Sequence, residues 1–238
     1  MIDKNIIKPE LITMTEPDSI ISEAYRALRT NVQFISTDRD IKVIVLTSPS
    51  PQEGKTSVAI SLAVTICQSD KKVLLIDADL RNPSLHRNFE LDNKTGLSDL
   101  LLKDEPLEKL VKSIAVKGLH ILTSGPKALT PSELLGSEKM RNFAAVARAK
   151  YDFVIFDSPP LLPVTDAAIL SKITDGVIIV VRSRRTVIDA IKRVKTILQN
   201  LKVNILGVVI TDIDQKSEHY YYYDYKYKYA QDEKSRKR

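Results

Sequence analysis

Six short runs rich in β-branched residues, separated by stretches of helical pattern, decide what this chain can fold into. They are Lys42–Thr47, Lys72–Asp77, Leu119–Thr123, Asp152–Asp157, Gly176–Val181 and Asn204–Thr211. Most lack alternation of polar and apolar residues, as strands covered on both faces do. Between them, Thr56–Ser69, Pro131–Lys150 and Thr186–Asn200 space apolar residues three and four apart, which is the helical period. Alternating β and α elements predict an α/β fold in which helices flank a mostly parallel sheet. With 238 residues, 43% of them apolar, the chain can build one substantial core.

Several classes are excluded early. A single cysteine, Cys67, makes neither an internal disulfide nor a multi-thiolate metal site, and within its apolar surroundings it reads as a buried small residue. His86 has no Cys or His companion for a metal. No apolar run approaches the roughly 20 residues that span a bilayer, and the amino-terminal stretch lacks the charged start and apolar core of a secretory signal. A cytoplasmic setting is therefore expected, with any membrane contact made through a partner or through charge.

Charge and tyrosine are unevenly spread. The net charge is +6, and residues 216–238 hold seven basic against four acidic residues. Of nine tyrosines, only Tyr25 and Tyr151 lie in the body; Tyr220, Tyr221, Tyr222, Tyr223, Tyr225, Tyr227 and Tyr229 crowd the end. Beyond Thr211 there is almost nothing aliphatic to bury, so residues 216–238 are expected to form a disordered, mobile tail after a domain over residues 1–215. Ahead of the first strand, Pro17-Asp18-Ser19 opens a helix over about residues 19–36, carrying Glu23, Arg26 and Arg29 within one broad polar face.

The first strand ends in Ser48-Pro49-Ser50-Pro51-Gln52-Glu53-Gly54-Lys55-Thr56, after which a helix begins. A strand, a tight loop, Gly-Lys-Thr and a helix amino terminus together cradle phosphate. Backbone N–H groups from Pro51 through Ser57 surround the phosphates (Pro51 itself shaping the turn), Lys55 reaches the β and γ groups, and the Thr56 hydroxyl ligates Mg²⁺. Two further strands end in carboxylates: Ile76 runs into Asp77-Ala78-Asp79-Leu80-Arg81, and Phe156 into Asp157-Ser158-Pro159-Pro160. Carboxylates there point into the crevice where open α/β sheets bind ligands, and hard oxygens suit Mg²⁺. Arg81 is a candidate phosphate contact, with a structural ion pair as the alternative. Arg182, Arg184 and Arg185 follow another strand end, where a solvated loop is the plainer reading.

These motifs resemble the bacterial tyrosine kinases of capsular and extracellular polysaccharide systems, in the form whose cytoplasmic kinase is separate from its membrane activator. Gly54-Lys55-Thr56 matches Walker A, Asp77-x-Asp79-x-Arg81 the Walker A′ segment and Asp157 Walker B, beside Glu23-x-x-Arg26-x-x-Arg29 and the tyrosine tail. The resemblance implies a P-loop fold, ATP and Mg²⁺ as cofactors, Thr56, Asp79 and Asp157 near the metal, and Asp77 as base for an acceptor phenol. It implies a homo-oligomer, a ring in which the Glu23-Arg26-Arg29 helix docks on its neighbour and each tail enters the next active site. It also implies a transmembrane modulator that recruits the chain to the inner face of the plasma membrane, and a cognate tyrosine phosphatase; no nucleic acid is expected. Two departures stand out. Gln52 replaces a glycine, so the loop either changes conformation or holds a side chain at positive φ. Thr211-Asp212 stands where relatives carry the Asn that reads the adenine edge, which leaves Thr211 as the candidate there. Two other functions compete: a partitioning-type ATPase switch, whose second lysine would fall at Ser50, and a nucleotide-regulated adaptor with a basic nucleic-acid-binding tail.

Overall fold

The structure is a computed structural model and describes residues 12–103 and 105–213. The expected tail, residues 216–238 with Tyr220, Tyr221, Tyr222, Tyr223, Tyr225, Tyr227 and Tyr229, lies outside the described residues. All six apolar runs form strands: β1 (Val43–Thr47), β2 (Val73–Asp77), β4 (Leu119–Leu122), β5 (Phe153–Asp157), β6 (Gly176–Arg182) and β7 (Ile205–Thr211). A two-residue strand, β3 (Lys112–Ser113), joins them, and the sheet order is β3-β4-β2-β5-β1-β6-β7. Every pairing is parallel except β3 with β4.

Both faces of the sheet are covered, as the unbroken apolar runs require. On one side Ile44, Leu46, Leu75 and Ile155 pack against α3 (Lys55–Cys67), which is buried almost along its length. Outside α3 lie α1 (Ile12–Thr15) and α2 (Ile20–Arg39), the latter contributing Val32 to this core. On the other side Val45, Leu74, Ile76 and Phe156 meet α5 (Leu97–Lys103), α8 (Glu138–Lys150), α9 (Asp166–Ser171) and α10 (Ile188–Asn200). Short helices α4 (Leu85–Asn88), α6 (Leu107–Leu110) and α7 (Pro131–Leu135) fill the connections. Cys67 is buried in the first core, and that burial pushes its thiol up to about 12.

Local chemistry explains the element ends. Ser19 caps α2, its Oγ accepting the Ser22 N–H at 3.2 Å. The single helix expected over Pro131–Lys150 is two helices. Gly136 closes α7, and Ser137 caps α8 by accepting the Met140 N–H at 3.2 Å, so a Gly-Ser pair breaks a continuous apolar period.

The strand that carries the phosphate loop is fixed at its other end by one carboxylate. Asp175 Oδ2 accepts the N–H groups of Lys42 and Val43 at 2.8 and 2.7 Å and also pairs with Arg148, which reaches Asp40 Oδ2 at 2.9 Å. Removing it orphans two strand donors and leaves the half-buried Arg148 guanidinium with Asp40 as its remaining acidic partner. Asp175→Ala is expected to lower stability by roughly 2–4 kcal/mol, read as a lower urea midpoint at unchanged slope; an unchanged midpoint would show that the clamp carries no stability.

Candidate active site

The sheet order brings three strand ends together. β5 lies between β1 and β2, and the register sets Asp157 beside both Leu46 and Asp77. The loop after β1 therefore opens next to both carboxylate strands. Gly54, at φ 88, is the amino-terminal cap of α3 and lets the loop turn so that the first helical N–H groups face the crevice. Gln52 also sits at positive φ, 62°, so the loop keeps a glycine-like conformation with a side chain in place. Such a residue holds about 1 kcal/mol or more of backbone strain.

A cavity of about 360 Å³ lies over these ends. Of the expected site residues, Pro51, Gln52, Lys55, Thr56, Asp79, Arg81 and Asp157 line it; Asn82, Ser84 and Pro160 add to the wall. At its floor Thr56 Oγ1 donates to Asp157 Oδ2 at 2.7 Å and lies 3.1 Å from Ser84 Oγ. The other oxygen, Asp157 Oδ1, is buried without a hydrogen-bond partner. Burial pushes the Asp157 carboxyl up to about 6, against the pull of Lys55 and the Thr56 hydroxyl. A hydroxyl and a carboxylate with a free lone-pair face, next to a lysine and a helix amino terminus, fit Mg²⁺ held jointly with phosphate. Among the described residues no group of three or more acidic, His or Cys side chains forms a metal cage, so an Mg²⁺ there would take its remaining ligands from water and phosphate oxygens.

Asp77 and Asp79 differ sharply. Asp77 is fully buried and does not line the cavity; its Oδ2 accepts the N–H groups of Ser84 and Leu85, both at 2.9 Å. Burial, and then the charge of Asp157, push it up to about 7. Asp79 lines the cavity, with Oδ1 taking the Asn82 N–H at 2.9 Å. Arg81 meets both Asp166 oxygens, Nε at 2.8 Å and Nη2 at 2.9 Å, and its Nη2 also donates to Ser132 Oγ, so most of its fork is spent on an ion pair at the cavity wall.

Of the other expected binding residues, Glu53, Gly54, Ser57 and Thr211 do not line the cavity. Ser57 belongs to α3. Glu53 is buried beneath the loop, and Thr211 Oγ1 donates to the Glu53 and Val181 carbonyls at 2.9 and 3.3 Å. Within the α2 triad, Glu23 and Arg26 pair with each other near the surface, while Arg29 Nη1 donates to the Thr65 carbonyl at 3.2 Å near the end of α3. Ser84 and Asp166 carried no signal in the sequence, while Ser132 lies in Pro131-Ser132-Glu133-Leu134-Leu135, a stretch that also resembles the tyrosine kinases.

A family model described as an AAA domain matches residues 41–207. The tyrosine-protein kinase YwqD of Bacillus subtilis (strain 168) is 45% identical over 213 residues, covering 89% of this chain and 90% of the relative. Among solved structures, the chimerical protein CapA2B2 superposes with a TM-score of 0.81 at 38% identity, over 86% of this chain and 90% of that one. The kinase domain of the Escherichia coli tyrosine kinase ETK gives 0.80 at 35%, over 87% and 82%.

The unpartnered Asp157 oxygen also predicts a stability cost. Asp157→Asn removes a desolvated buried charge while keeping an oxygen for Thr56. The free protein is expected to gain about 1 kcal/mol, or roughly 2–4 °C in melting temperature, while losing Mg²⁺-dependent nucleotide binding. Calorimetry with and without Mg²⁺-nucleotide checks both parts.

Proposed function

The chain belongs to the bacterial tyrosine kinases, and we propose that it transfers the γ-phosphoryl group of ATP to the tyrosines of its own carboxy-terminal segment, in trans within an oligomer. The observation carrying this reading is the Thr56–Asp157 hydrogen bond with a free, buried Asp157 oxygen beside the Gly54-Lys55 loop. Phosphoryl transfer asks for positioning and charge stabilisation more than for covalent chemistry.

Backbone N–H groups at the start of α3 bind the phosphates, and Lys55 balances charge on the transferred group. Thr56 Oγ1 and Asp157 would hold Mg²⁺, which would neutralise negative charge on the phosphate oxygens. Asp79, the A′ carboxylate that faces the cavity, orients the acceptor phenol and takes its proton, a help to a group of ordinary pKa near 10. Asp77 fixes the turn that presents Asp79, so the base role that family resemblance gives to Asp77 passes to its neighbour. Arg81, held by Asp166, shapes the wall and offers its remaining Nη1 N–H groups to substrate oxygens.

The acceptors are Tyr220, Tyr221, Tyr222, Tyr223, Tyr225, Tyr227 and Tyr229. From Asp212 to Tyr220 the chain spans at most about 26–29 Å, enough to reach a neighbour's site if subunits pack side by side. Exposed Glu23 and half-buried Arg26 form the docking face of α2 in that ring, with Arg29 anchoring the helix from within. We assign the chain to the control of capsular or extracellular polysaccharide synthesis or export. It is recruited to the inner membrane face by a transmembrane modulator and reset by a tyrosine phosphatase. No helix among the described residues is long and apolar enough to cross a membrane. The partitioning-type switch is the weaker alternative, because Ser50 replaces the lysine that such a switch lends to its neighbour.

Purified chain, an activator fragment, Mg²⁺ and labelled ATP give the direct test. Lys55→Met is expected to cut incorporation at least a hundredfold, and a chain lacking residues 220–229 to lose nearly all label. No label on wild type would end the kinase reading; equal label on the truncated chain would end only the acceptor assignment. Five phosphotyrosines add about −8 to −10 to a segment that starts at seven basic against four acidic residues. Light scattering of the heavily phosphorylated protein is expected to show smaller particles, and an unchanged oligomer would remove charge repulsion as the release mechanism.

A further inference from the structure

The phosphate loop is held from within and from the turn after β6. Glu53 is only 1% exposed, and its carboxylate is satisfied from two sides: Ser50 N–H donates to Oε2 at 3.1 Å, and Thr186 Oγ1 donates to Oε1 at 2.7 Å. The Thr186 hydroxyl is itself oriented, because it accepts the Arg182 N–H at 2.8 Å and so has its proton free for Glu53. Around this centre Arg185 Nη2 donates to Gln52 Oε1 at 3.1 Å, and Arg182 Nε pairs with Asp212 Oδ2 at 2.9 Å. Thr211 Oγ1 reaches the Glu53 carbonyl from below. Gln52, Arg184 and Asp212 all sit at positive φ, 62°, 59° and 57°. Strained backbone gathers where surrounding contacts over-determine it.

We propose that Thr186 is a positioning residue for nucleotide binding: through the buried Glu53 carboxylate it locks the phosphate loop, including the strained Gln52, in its phosphate-ready shape. Thr186 does not line the cavity, so its effect passes through Glu53. Removing its hydroxyl leaves a buried carboxylate oxygen unpaired, which favours loop conformations that turn Glu53 outward to water. Those conformations cannot aim the N–H groups of Gly54 and Lys55 together, so the population able to bind phosphate falls and the apparent affinity falls with it.

The inference rests on the nucleotide-binding reading but not on phosphoryl transfer, so the test is direct binding of a fluorescent ADP analogue with Mg²⁺ to the full chain. Thr186→Val, matched in shape, is expected to weaken binding about five- to twentyfold, and Thr186→Ser to restore it to within twofold of wild type. In a Glu53→Ala background, where no carboxylate needs a partner, Thr186→Val is expected to change affinity less than twofold. Circular dichroism melts confirm that each variant is folded at the binding temperature. Thr186→Arg serves as a second probe if valine fails to fold, being expected to displace Glu53 with a loss at least as large. Equal weakening by Thr186→Val in both backgrounds, or none in either, overturns the brace. Failure of wild type to bind the analogue overturns the nucleotide reading itself.

Discussion

Two carboxylates set side by side at the ends of neighbouring strands impose the constraint on which the site is built. Asp77 and Asp157 are register partners on β2 and β5, and both are buried. Burial raises both, the charge of Asp157 adds to the rise at Asp77 and that of Asp79 to the rise at Asp157, so the fold must supply compensating donors. It does so asymmetrically. Asp77 takes two N–H groups from the start of α4, which curls the A′ segment into a fixed turn and leaves Asp79 facing the cavity. Asp157 takes only the Thr56 hydroxyl and keeps one oxygen empty-handed. The first carboxylate is spent on architecture, while the second is left underbonded at the cavity floor.

The order of strands then divides the labour around the phosphate loop. On one flank β5 and β2 bring acids; on the other β6 and β7 bring the turn and strand end that grip Glu53 and Gln52. A phosphate loop with glycine at position 52 could adopt its shape at little cost. With glutamine there, the shape must be held by partners, and those partners come from residues 130 or more positions later in the chain. The loop's conformation thus depends on the completed sheet as well as on the loop's own hydrogen bonds.

That division also explains what could be read from the sequence. Strands announced themselves because burial on both faces demands continuous apolar runs, and the phosphate loop did because its chemistry needs Gly54, Lys55 and Thr56 in direct succession. The strain at Gln52 was legible as one of two outcomes, and the structure takes the positive-φ one. The short antiparallel β3 was not legible, since two residues at a sheet edge need no apolar pattern. The break at Gly136-Ser137 was hidden by an apolar period that runs through it. Asp166, Asp175 and Thr186 were invisible for a different reason: each acts by meeting a group on a distant element, and a lone Asp or Thr carries no trace of its partner. The two A′ aspartates look alike in sequence, and only the curl of the chain at Ser84-Leu85 decides which one the cavity sees.

The helix that begins at Lys55 joins these parts. Its amino-terminal end, capped by Gly54 at positive φ, offers free N–H groups to an anion, while near its carboxyl end the Thr65 carbonyl takes the guanidinium of Arg29 from α2. Anion at the start and cation at the finish is the arrangement a helix dipole favours. Of the charged triad on α2, Arg29 is therefore committed inward, leaving Glu23 and Arg26 as the outward pair. Because α3 is buried along nearly its whole length, α2 and the phosphate loop are attached to opposite ends of one element packed against the sheet. The outward face of α2 is thus tied to the phosphate loop through a single turn-by-turn hydrogen-bonded path along α3.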